Sequence, residues 1–461
     1  MLFELNQHGR GELLAECRRL LRLALPILIA QAAQVGVGVV DTVMAGHASA
    51  NDLAGVALGS NVFITLYITF LGVMTALQPI LAQLYGAGKT TEIGEQGRQG
   101  LWFGLFLGVL GMLLLWALIA PMQHWLNMGS YVDGVFGQFV FFIALGMPAA
   151  MIHRAFYAFA SSLNRPKPIM VVSLIALLLN IPLNYVFVYG KYGMPELGGA
   201  GCGLASAICF WFNAIVLGIY VFRQRFFAPF ALFSRFDWPQ WRLQGSLLRL
   251  GIPIGMSFFL EVSLFTFISL LIARFGVTQV AAQQVVISIT SLIYMLPQSV
   301  GIALAVCVGQ AVGAGKWQRA RFVSGVGLSM GLLGACFTGV ILLLFRHFWV
   351  SLYTVDQEVI FLGGTLLIFA AIFQLSDATQ TIASYALRGY KLTKIPMVIH
   401  AFSFWGLGLG FGCLFGLYFG MALYGFWLAL VLALTGAAVA LVWYLHRQSE
   451  KFALAHADRE S

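Results

Sequence analysis

The chain alternates between long apolar runs and short polar or Gly/Pro-rich breaks. A helix of roughly 20 apolar residues crosses the ~30 Å hydrocarbon layer of a bilayer. The pattern predicts twelve such spans, of which the second, eighth and tenth are long enough to tilt or bend. The predicted spans cover residues 20–46, 53–83, 99–120, 135–157, 168–189, 200–222, 247–273, 280–312, 322–345, 359–386, 396–418 and 420–445.

The composition agrees with a chain that lies mostly in lipid. Of the 461 residues, 60% are hydrophobic and only 9% are charged, and the mean hydropathy is +0.88. Soluble domains carry about 25% charged residues. The formal net charge of +9 is spread over the breaks between apolar runs, which disfavours nucleic-acid binding. We therefore expect an all-α polytopic membrane protein with the lipid bilayer as its main partner.

Lys and Arg are unevenly distributed between the two kinds of breaks. Of the 26, all but Lys191, Arg274 and Arg346 lie at the termini or around the breaks after even-numbered spans. Basic loops stay on the cytoplasmic side of a membrane. This distribution predicts a multi-pass protein of the cell inner (plasma) membrane with both termini in the cytoplasm. An odd number of spans would scramble the alternation.

The remaining compositional signals are weak. The six cysteines are scattered without a C-x-x-C pair, and most lie in apolar runs, where a buried small hydrophobe is the expected role. A polar, Arg-rich segment precedes the first span, but no short apolar core with a cleavage site follows it. A removable signal peptide is therefore not expected.

The chain also repeats itself at a constant offset, the one that separates Leu20 from Leu247. A Leu-Leu-Arg-Leu motif begins at each of these two residues, and each copy is followed by Pro-Ile. At the same offset, Gln83, which precedes a Gly-Ala-Gly-Lys motif, returns as Gln310 before the same motif. Six spans per repeat mean that both halves enter the membrane in the same direction. Parallel repeats of this kind are related by an axis along the membrane normal.

This duplication predicts the domain organisation. Residues 1–222 are expected to form an amino-terminal six-helix bundle, and residues 247–461 a carboxyl-terminal six-helix bundle with a short cytoplasmic tail. A pseudo-two-fold axis along the membrane normal would relate the bundles. The basic, Phe-rich segment 223–246, which contains two prolines, is expected to be the cytoplasmic linker.

Few acidic residues fall inside the predicted spans. Of the 17, only Asp41, Glu261 and Asp377 lie well inside, while Asp356 lies where the tenth span begins on the outer side. A charge near the bilayer centre costs at least ~2.5–3.5 kcal/mol, so an ionisable group there is a functional candidate. No Lys or Arg is expected deep in a span to neutralise these acids. Asp356 could equally be an ordinary helix cap.

Glu261 and Asp377 are predicted to lie at the same depth. Glu261 follows the basic anchor Arg249 by roughly three helical turns, and Asp377 precedes the anchor Arg388 by roughly three. At 1.5 Å per residue, both lie roughly 17 Å from their basic anchors. Two carboxylates at one depth in a low dielectric repel each other, which favours the uptake of a proton or of a Na⁺ ion with help from neutral oxygens. The sequence does not give their lateral distance.

The amino-terminal half differs at this position. Gln34 occupies the repeat position of Glu261. Asp41 lies roughly 28 Å beyond its basic anchor. Asn184 lies at nearly the same level, with Asn180 one turn away on the same helix face. These three side chains could form a second proton or cation cluster. Alternatively, the asparagines only make hydrogen bonds between helices.

Several of these features resemble the NorM branch of the MATE (multidrug and toxic compound extrusion) family over essentially the whole chain. They are the length, the twelve spans in two halves, and the doubled Gly-Ala-Gly-Lys motif. They also include Asp41 in Val-Asp-Thr-Val-Met-Ala-Gly, Glu261 in Phe-Leu-Glu-Val and Asp377 in Gln-Leu-Ser-Asp. The resemblance is specific only when these motifs are taken together.

The resemblance implies two bundles around a cavity that opens alternately to either side. It implies no enzyme activity and no cofactor, but export of amphipathic, usually cationic drugs and dyes in exchange for Na⁺ or H⁺. Glu261 and Asp377 match the family's cation-coupling positions, so they are the predicted Na⁺ ligands, and Asp41 matches its amino-terminal protonation site. A monomer is expected. Further candidates for drug or cation contacts are Asp356, Asn180, Asn184, Tyr294 and Gln284.

Other functions fit the sequence less well. A lipid or lipid-linked precursor flippase of a related fold is an alternative, but its cavity should be lined with basic residues that bind anionic headgroups. His47 and Asp52 have the H-x-x-x-x-D spacing of some membrane-bound acyltransferases, but no other catalytic cluster accompanies them. The Gly-Ala-Gly-Lys-Thr motif imitates a P-loop, yet position 83 is Gln rather than the required Gly.

Overall fold

The computed structural model describes residues 9–126, 129–234 and 236–456. Within these ranges the chain is helical and forms no strand. Twelve helices or joined helix pairs in the described residues are long and apolar enough to cross a membrane. The predicted all-α fold with twelve spans is therefore confirmed.

Most spans are single helices that extend beyond the predicted apolar runs by one or two turns. The helices are α1 Arg10–Ala48, α2 Ala50–Met74, α3 Leu77–Gly86, α4 Thr90–Leu126, α5 Ser130–Ala144, α6 Met147–Ser162, α7 Lys167–Tyr189, α8 Ala200–Arg223, α9 Trp241–Ile272, α10 Val277–Gly313, α11 Trp317–Leu344, α12 Arg346–Ser351, α13 Gln357–Gly389, α14 Lys394–His400, α15 Gly410–Cys413 and α16 Ala422–Ala455. Around α15, the eleventh span contains π-helical turns at Ala401–Leu409 and Leu414–Tyr418.

Prolines interrupt two spans. The second span breaks between α2 and α3, one turn before Pro79, and the fourth breaks between α5 and α6, next to Pro148. A proline lacks the backbone N–H and its ring clashes with the carbonyl four residues earlier, which ends or kinks a helix. The bend expected in the second span is present. The eighth and tenth spans are continuous helices, whereas the break in the fourth was not predicted.

The boundaries of the helices repeat at the same offset as the sequence. Moving onward from the starts of α2, α4, α5 and α7 by the offset that separates Leu20 from Leu247 gives the starts of α10, α11, α13 and α14. The register is lost only before the last span of each half, where the loop Lys191–Gly199 is longer than its counterpart. Equivalent residues of the two halves can therefore be compared position by position.

The helices form two compact units. One unit consists of Leu25–Gly255. The other consists of the described residues within Met1–Ala24 and Met256–Ser461. In this second unit the apolar core includes Phe404, Phe426 and Trp427, which are fully buried. The proposed division at residues 222 and 247 follows the duplication of the sequence and stays a prediction.

The segment between the two repeats is docked rather than loose. Arg98 on α4 donates to the carboxylate of Asp237 at 2.5 Å and to the carbonyl of Ala231 at 2.6 Å. Trp102, one turn further along α4, donates to the carbonyl of Asp237 at 2.9 Å. Phe227 and Phe230 of the same segment are buried. These contacts fix the predicted linker against α4.

Candidate functional site

The carboxyl-terminal unit brings three predicted site residues together. Glu261 on α9 and Asp377 on α13 lie close enough for their charges to interact. Tyr294 on α10 lies near both carboxylates, and its hydroxyl hydrogen-bonds to Thr381. Asp377 is buried, with 4% of its surface exposed. The equal depth predicted from the sequence therefore corresponds to lateral proximity, which the sequence alone did not give.

A short chain of hydrogen bonds orients Asp377. Gln380, one turn along α13, donates from Nε2 to Asp377 Oδ1 at 3.0 Å. Gln380 Oε1 lies 3.0 Å from Nε2 of His400, which is buried on α14 and stacks on Phe404. Because the Gln380 oxygen can only accept, His400 must donate from Nε2. His400 thus fixes the amide so that its NH₂ group points at Asp377. Sequence analysis missed both residues, although a buried polar pair in apolar spans was visible.

Arg388 supplies positive charge to this cluster. It lies in the last turn of α13, as expected for a basic anchor, but only 6% of it is exposed. Its guanidinium lies 4.0 Å from the ring centre of Tyr385 and 5.0 Å from that of Phe258. Its charge also acts on Glu261. The carboxylates of this unit are therefore not remote from basic groups.

The chemistry of this cluster fits a hard cation. Two carboxylates and a phenolic oxygen are the oxygen ligands that Na⁺ and similar ions prefer over nitrogen or sulfur. The same carboxylates can share a proton, because two neighbouring charges in a low dielectric disfavour full ionisation of both. Within the described residues, no group of three or more His, Cys, Asp or Glu side chains is placed to hold a metal ion. The arrangement thus suits a transported ion rather than a tightly held structural metal.

The amino-terminal unit contains the second predicted cluster. Asp41 on α1 is 6% exposed and accepts from Nδ2 of Asn184 at 2.7 Å and from Nδ2 of Asn180 at 3.1 Å, both on α7. Its other carboxylate oxygen accepts from the hydroxyl of Ser206 on α8. The predicted grouping of Asp41 with the two asparagines is present. Ser206 was missed because the sequence does not say that α8 faces Asp41.

The asparagines are themselves linked. Asn184 also donates to Oδ1 of Asn180 at 2.9 Å, one turn away on α7. Asn184 Oδ1 is buried and accepts no hydrogen bond within the described residues. A buried acceptor without a donor costs about 1–3 kcal/mol. This oxygen is therefore available to a proton donor or a cation beside Asp41.

Close helix packing brings α8 to this cluster. Gly201 on α8 lies against the Phe187 backbone of α7, and an added Cβ would come within 2.7 Å of the Phe187 carbonyl carbon. Gly203 approaches the carbonyl oxygen of Phe139 on α5 equally closely, at 2.6 Å from such a Cβ. Small residues at these positions let the backbones approach, as is usual between membrane helices. Ser206 consequently reaches Asp41 from the next turns of α8.

One arginine lies inside a span, contrary to the prediction. Arg154 is in the middle of α6, roughly 12 Å from the end of that helix at Ser162. It donates from Nη2 to Gln34 Oε1 at 2.9 Å and to the Tyr67 hydroxyl at 3.0 Å. Its guanidinium also lies 5.2 Å from the ring centre of Tyr157. The expectation that no basic residue lies deep in a span is wrong, because the fourth span continues beyond residue 157.

The last two candidate residues lie elsewhere. Asp356 is exposed and caps α13, where Oδ1 accepts from the backbone N–H of Glu358 at 2.9 Å and of Val359 at 3.4 Å. Its contacts are those of the ordinary cap that the sequence left open. The side chain of Gln284 is exposed on α10, and its backbone carbonyl accepts from Ser288.

The His47 and Asp52 pair serves local structure. Asp52 lies in the first turn of α2, where its carboxylate accepts from the Gly199 backbone at 2.7 Å and from the Ser49 hydroxyl at 2.5 Å. His47 contacts the carbonyl of Val43 at 2.8 Å. Asp52 is thus committed to the capping of α2 and to the loop before α8. These contacts are those of a helix start and a loop anchor.

Comparisons with known proteins agree on one family. The MatE family model matches residues 26–186 and again 253–414. The chain is 55% identical to a protein of Neisseria meningitidis named probable multidrug resistance protein NorM, over 99% of both chains. It is 53% identical to a protein of the same name from Chromobacterium violaceum, over 98% of both. A solved structure described as the MATE transporter NorM-NG in complex with a dye and a monobody is 52% identical, with a TM-score of 0.82 over 94% of this chain and 95% of that one.

Proposed function

This chain belongs to the MatE family, and from that membership and its buried carboxylates we propose that it is a secondary active exporter of amphipathic, mainly cationic drugs and dyes. Export is driven by antiport with Na⁺ or H⁺, which serve as coupling ions, and no cofactor is required. The relatives with more than half of their residues in common are named as multidrug resistance proteins, and one solved relative is described as a complex with a dye. These names favour export over the flippase and membrane-bound enzyme alternatives.

The observation that carries the coupling proposal is the proximity of Glu261 to Asp377. The ion binds between these carboxylates with the Tyr294 oxygen nearby. Ion binding and the binding of a cationic drug both profit from negative charge, so each weakens the other. Linkage makes this antagonism reciprocal at equilibrium. An inward cation gradient therefore favours release of the drug. Asp41, with Asn180, Asn184 and Ser206, is a second site for a proton or cation.

The acidic character of both clusters predicts the charge of the preferred substrates. In energised inside-out vesicles or proteoliposomes, ethidium and rhodamine should be transported at least several-fold faster than anionic dyes of similar size. The measurement is dye transport under an imposed Na⁺ gradient and, separately, an imposed pH gradient, with protein-free liposomes as the control. Equal or faster transport of the anions would contradict the proposal, and the two gradients identify the coupling ion.

The distribution of basic residues predicts the orientation in the inner membrane. Lys191 and Lys316 are both exposed and lie on opposite sides by the positive-inside rule. In a background in which the exposed Cys336 is replaced, Lys191→Cys should react with a membrane-impermeant maleimide in intact cells, whereas Lys316→Cys should react only after lysis. Labelling of Lys316→Cys in intact cells would reverse the topology.

A further inference from the structure

The internal repeat gives the carboxyl-terminal cluster a counterpart in the amino-terminal unit. Counting back by the offset between the repeats takes Glu261 to Gln34, Tyr294 to Tyr67 and Thr381 to Arg154. The helices that carry these residues begin at equivalent positions in the two halves, so the correspondence holds for the fold as well as for the sequence. One residue type is retained, and the carboxylate and the threonine are exchanged for an amide and an arginine.

Corresponding residues make corresponding contacts. In the carboxyl-terminal unit, Thr381 hydrogen-bonds to the Tyr294 hydroxyl. In the amino-terminal unit, Arg154 donates to the Tyr67 hydroxyl at 3.0 Å. The second contact of Arg154, to Gln34 Oε1 at 2.9 Å, is made to the residue that replaces Glu261. The guanidinium thus bridges the two positions whose counterparts flank the proposed cation.

A guanidinium at this place has a definite chemical consequence. Arginine carries a permanent positive charge and only donates hydrogen bonds. The oxygens of Gln34 and Tyr67, which could otherwise face a cation, are both directed at Arg154. The amide of Gln34 contributes no negative charge to attract an external ion or to take up a proton. Ala150, at the repeat position of Asp377, removes the second carboxylate.

We propose that Arg154 is a built-in cation that occupies the amino-terminal counterpart of the Glu261 and Asp377 site, and that it excludes Na⁺ and protons from that position. This inference rests on the proposed function of Glu261 and Asp377. Arg154 is then a residue that determines where coupling occurs. The duplicated fold keeps two equivalent positions, of which one exchanges its cation during transport and the other holds a cation that is part of the chain.

The proposal predicts that the closed position can be opened. Gln34→Glu with Arg154→Thr copies the carboxyl-terminal residues and leaves Tyr67 in place. Purified full-length protein carrying both exchanges should bind one additional equivalent of cation per chain, more weakly than the original site because it has one carboxylate. The measurement is equilibrium binding of radioactive Na⁺ together with proton uptake at a pH electrode. The melting temperature verifies the fold of each variant.

A second background separates this inference from the proposed function. Glu261→Gln/Asp377→Asn should lose the original cation, and adding Gln34→Glu/Arg154→Thr should restore one equivalent. If the folded fourfold variant binds no more cation than its parent pair, Arg154 is not what closes the position. If Glu261→Gln/Asp377→Asn itself binds as many cations as the unchanged protein, the proposed function fails, and this inference fails with it.

Two single exchanges keep the test decisive if the combined variants do not fold. Gln34→Glu places a carboxylate beside Arg154, where an ion pair forms and no additional cation should bind. Binding of an extra equivalent by this variant would overturn the proposal. Thr381→Arg places a guanidinium next to Tyr294 and should abolish the original cation binding. Cation binding by folded Thr381→Arg at the level of the unchanged protein would overturn it as well.

Discussion

Replacing Glu261 by Gln or Asp377 by Asn is expected to lower cation-driven efflux of ethidium by ten-fold or more. Each exchange removes one negative charge from the site and nearly preserves its shape. In Asp377→Asn the amide oxygen can still accept the hydrogen bond that Gln380 now donates at 3.0 Å. An amide also leaves no unpaired buried charge. We therefore expect folding to survive, while a coupling free energy on the order of 1–3 kcal/mol is lost.

The measurement is ethidium release from the reconstituted protein upon addition of Na⁺ or lowering of the pH, together with the melting temperature. Glu92→Gln is a matched control, because Glu92 is exposed and pairs only with a solvent-exposed Lys89 among the ion pairs of the described residues. It should release ethidium with the cation dependence of the unchanged protein. If Glu261→Gln or Asp377→Asn is well folded and does the same, the pair is structural, and the coupling role passes to Asp41.

Replacing Asp41 by Asn is expected to reduce efflux by ten-fold or more as well. The carboxylate accepts from three donors, and an amide offers only one acceptor oxygen in their place. The asparagines can keep their bonds to that oxygen, but the Ser206 hydroxyl must turn and accept from the new NH₂ group. The exchange therefore removes the charge and the proton-accepting capacity of the cluster, while each polar group can still find a partner.

Ser206→Ala tests the same cluster more gently. It removes one donor and leaves the charge, so the loss should be about 1–2 kcal/mol, or several-fold to about twenty-fold in efflux. Ser329→Ala is its control, since the Ser329 hydroxyl bonds only to the Gly325 carbonyl of its own helix in the contacts of the described residues. The experiment compares dye efflux at several imposed pH gradients. Wild-type efflux by well-folded Asp41→Asn would restrict the role of these residues to holding helices together.

The sequence alone determined the class of protein and most of its architecture. Twelve apolar runs give twelve spans because the bilayer thickness fixes the minimum length of a helix that crosses it. The offset between the two copies of the repeat reappears in the boundaries of the helices. Buried acids could be found because a charge in an apolar run is costly and therefore conspicuous. Counting residues from basic anchors also placed Asp41 level with Asn184, and the two are in contact.

Proximity within the membrane plane was beyond the sequence. Depth along a helix follows from a constant rise per residue, whereas the choice of neighbouring helices depends on the packing of whole faces. Only the tertiary structure therefore added Ser206 to Asp41, and His400 through Gln380 to Asp377.

Arg154 illustrates the same limit most clearly. Its position near the end of an apolar run suggested a basic anchor at the membrane surface. The continuation of α6 to Ser162 and the packing of Gln34 and Tyr67 around the guanidinium place it among polar side chains inside a unit. A charge can be stabilised there because several oxygens from different helices converge on it. That convergence is a property of the folded chain, which no pattern along a single segment records.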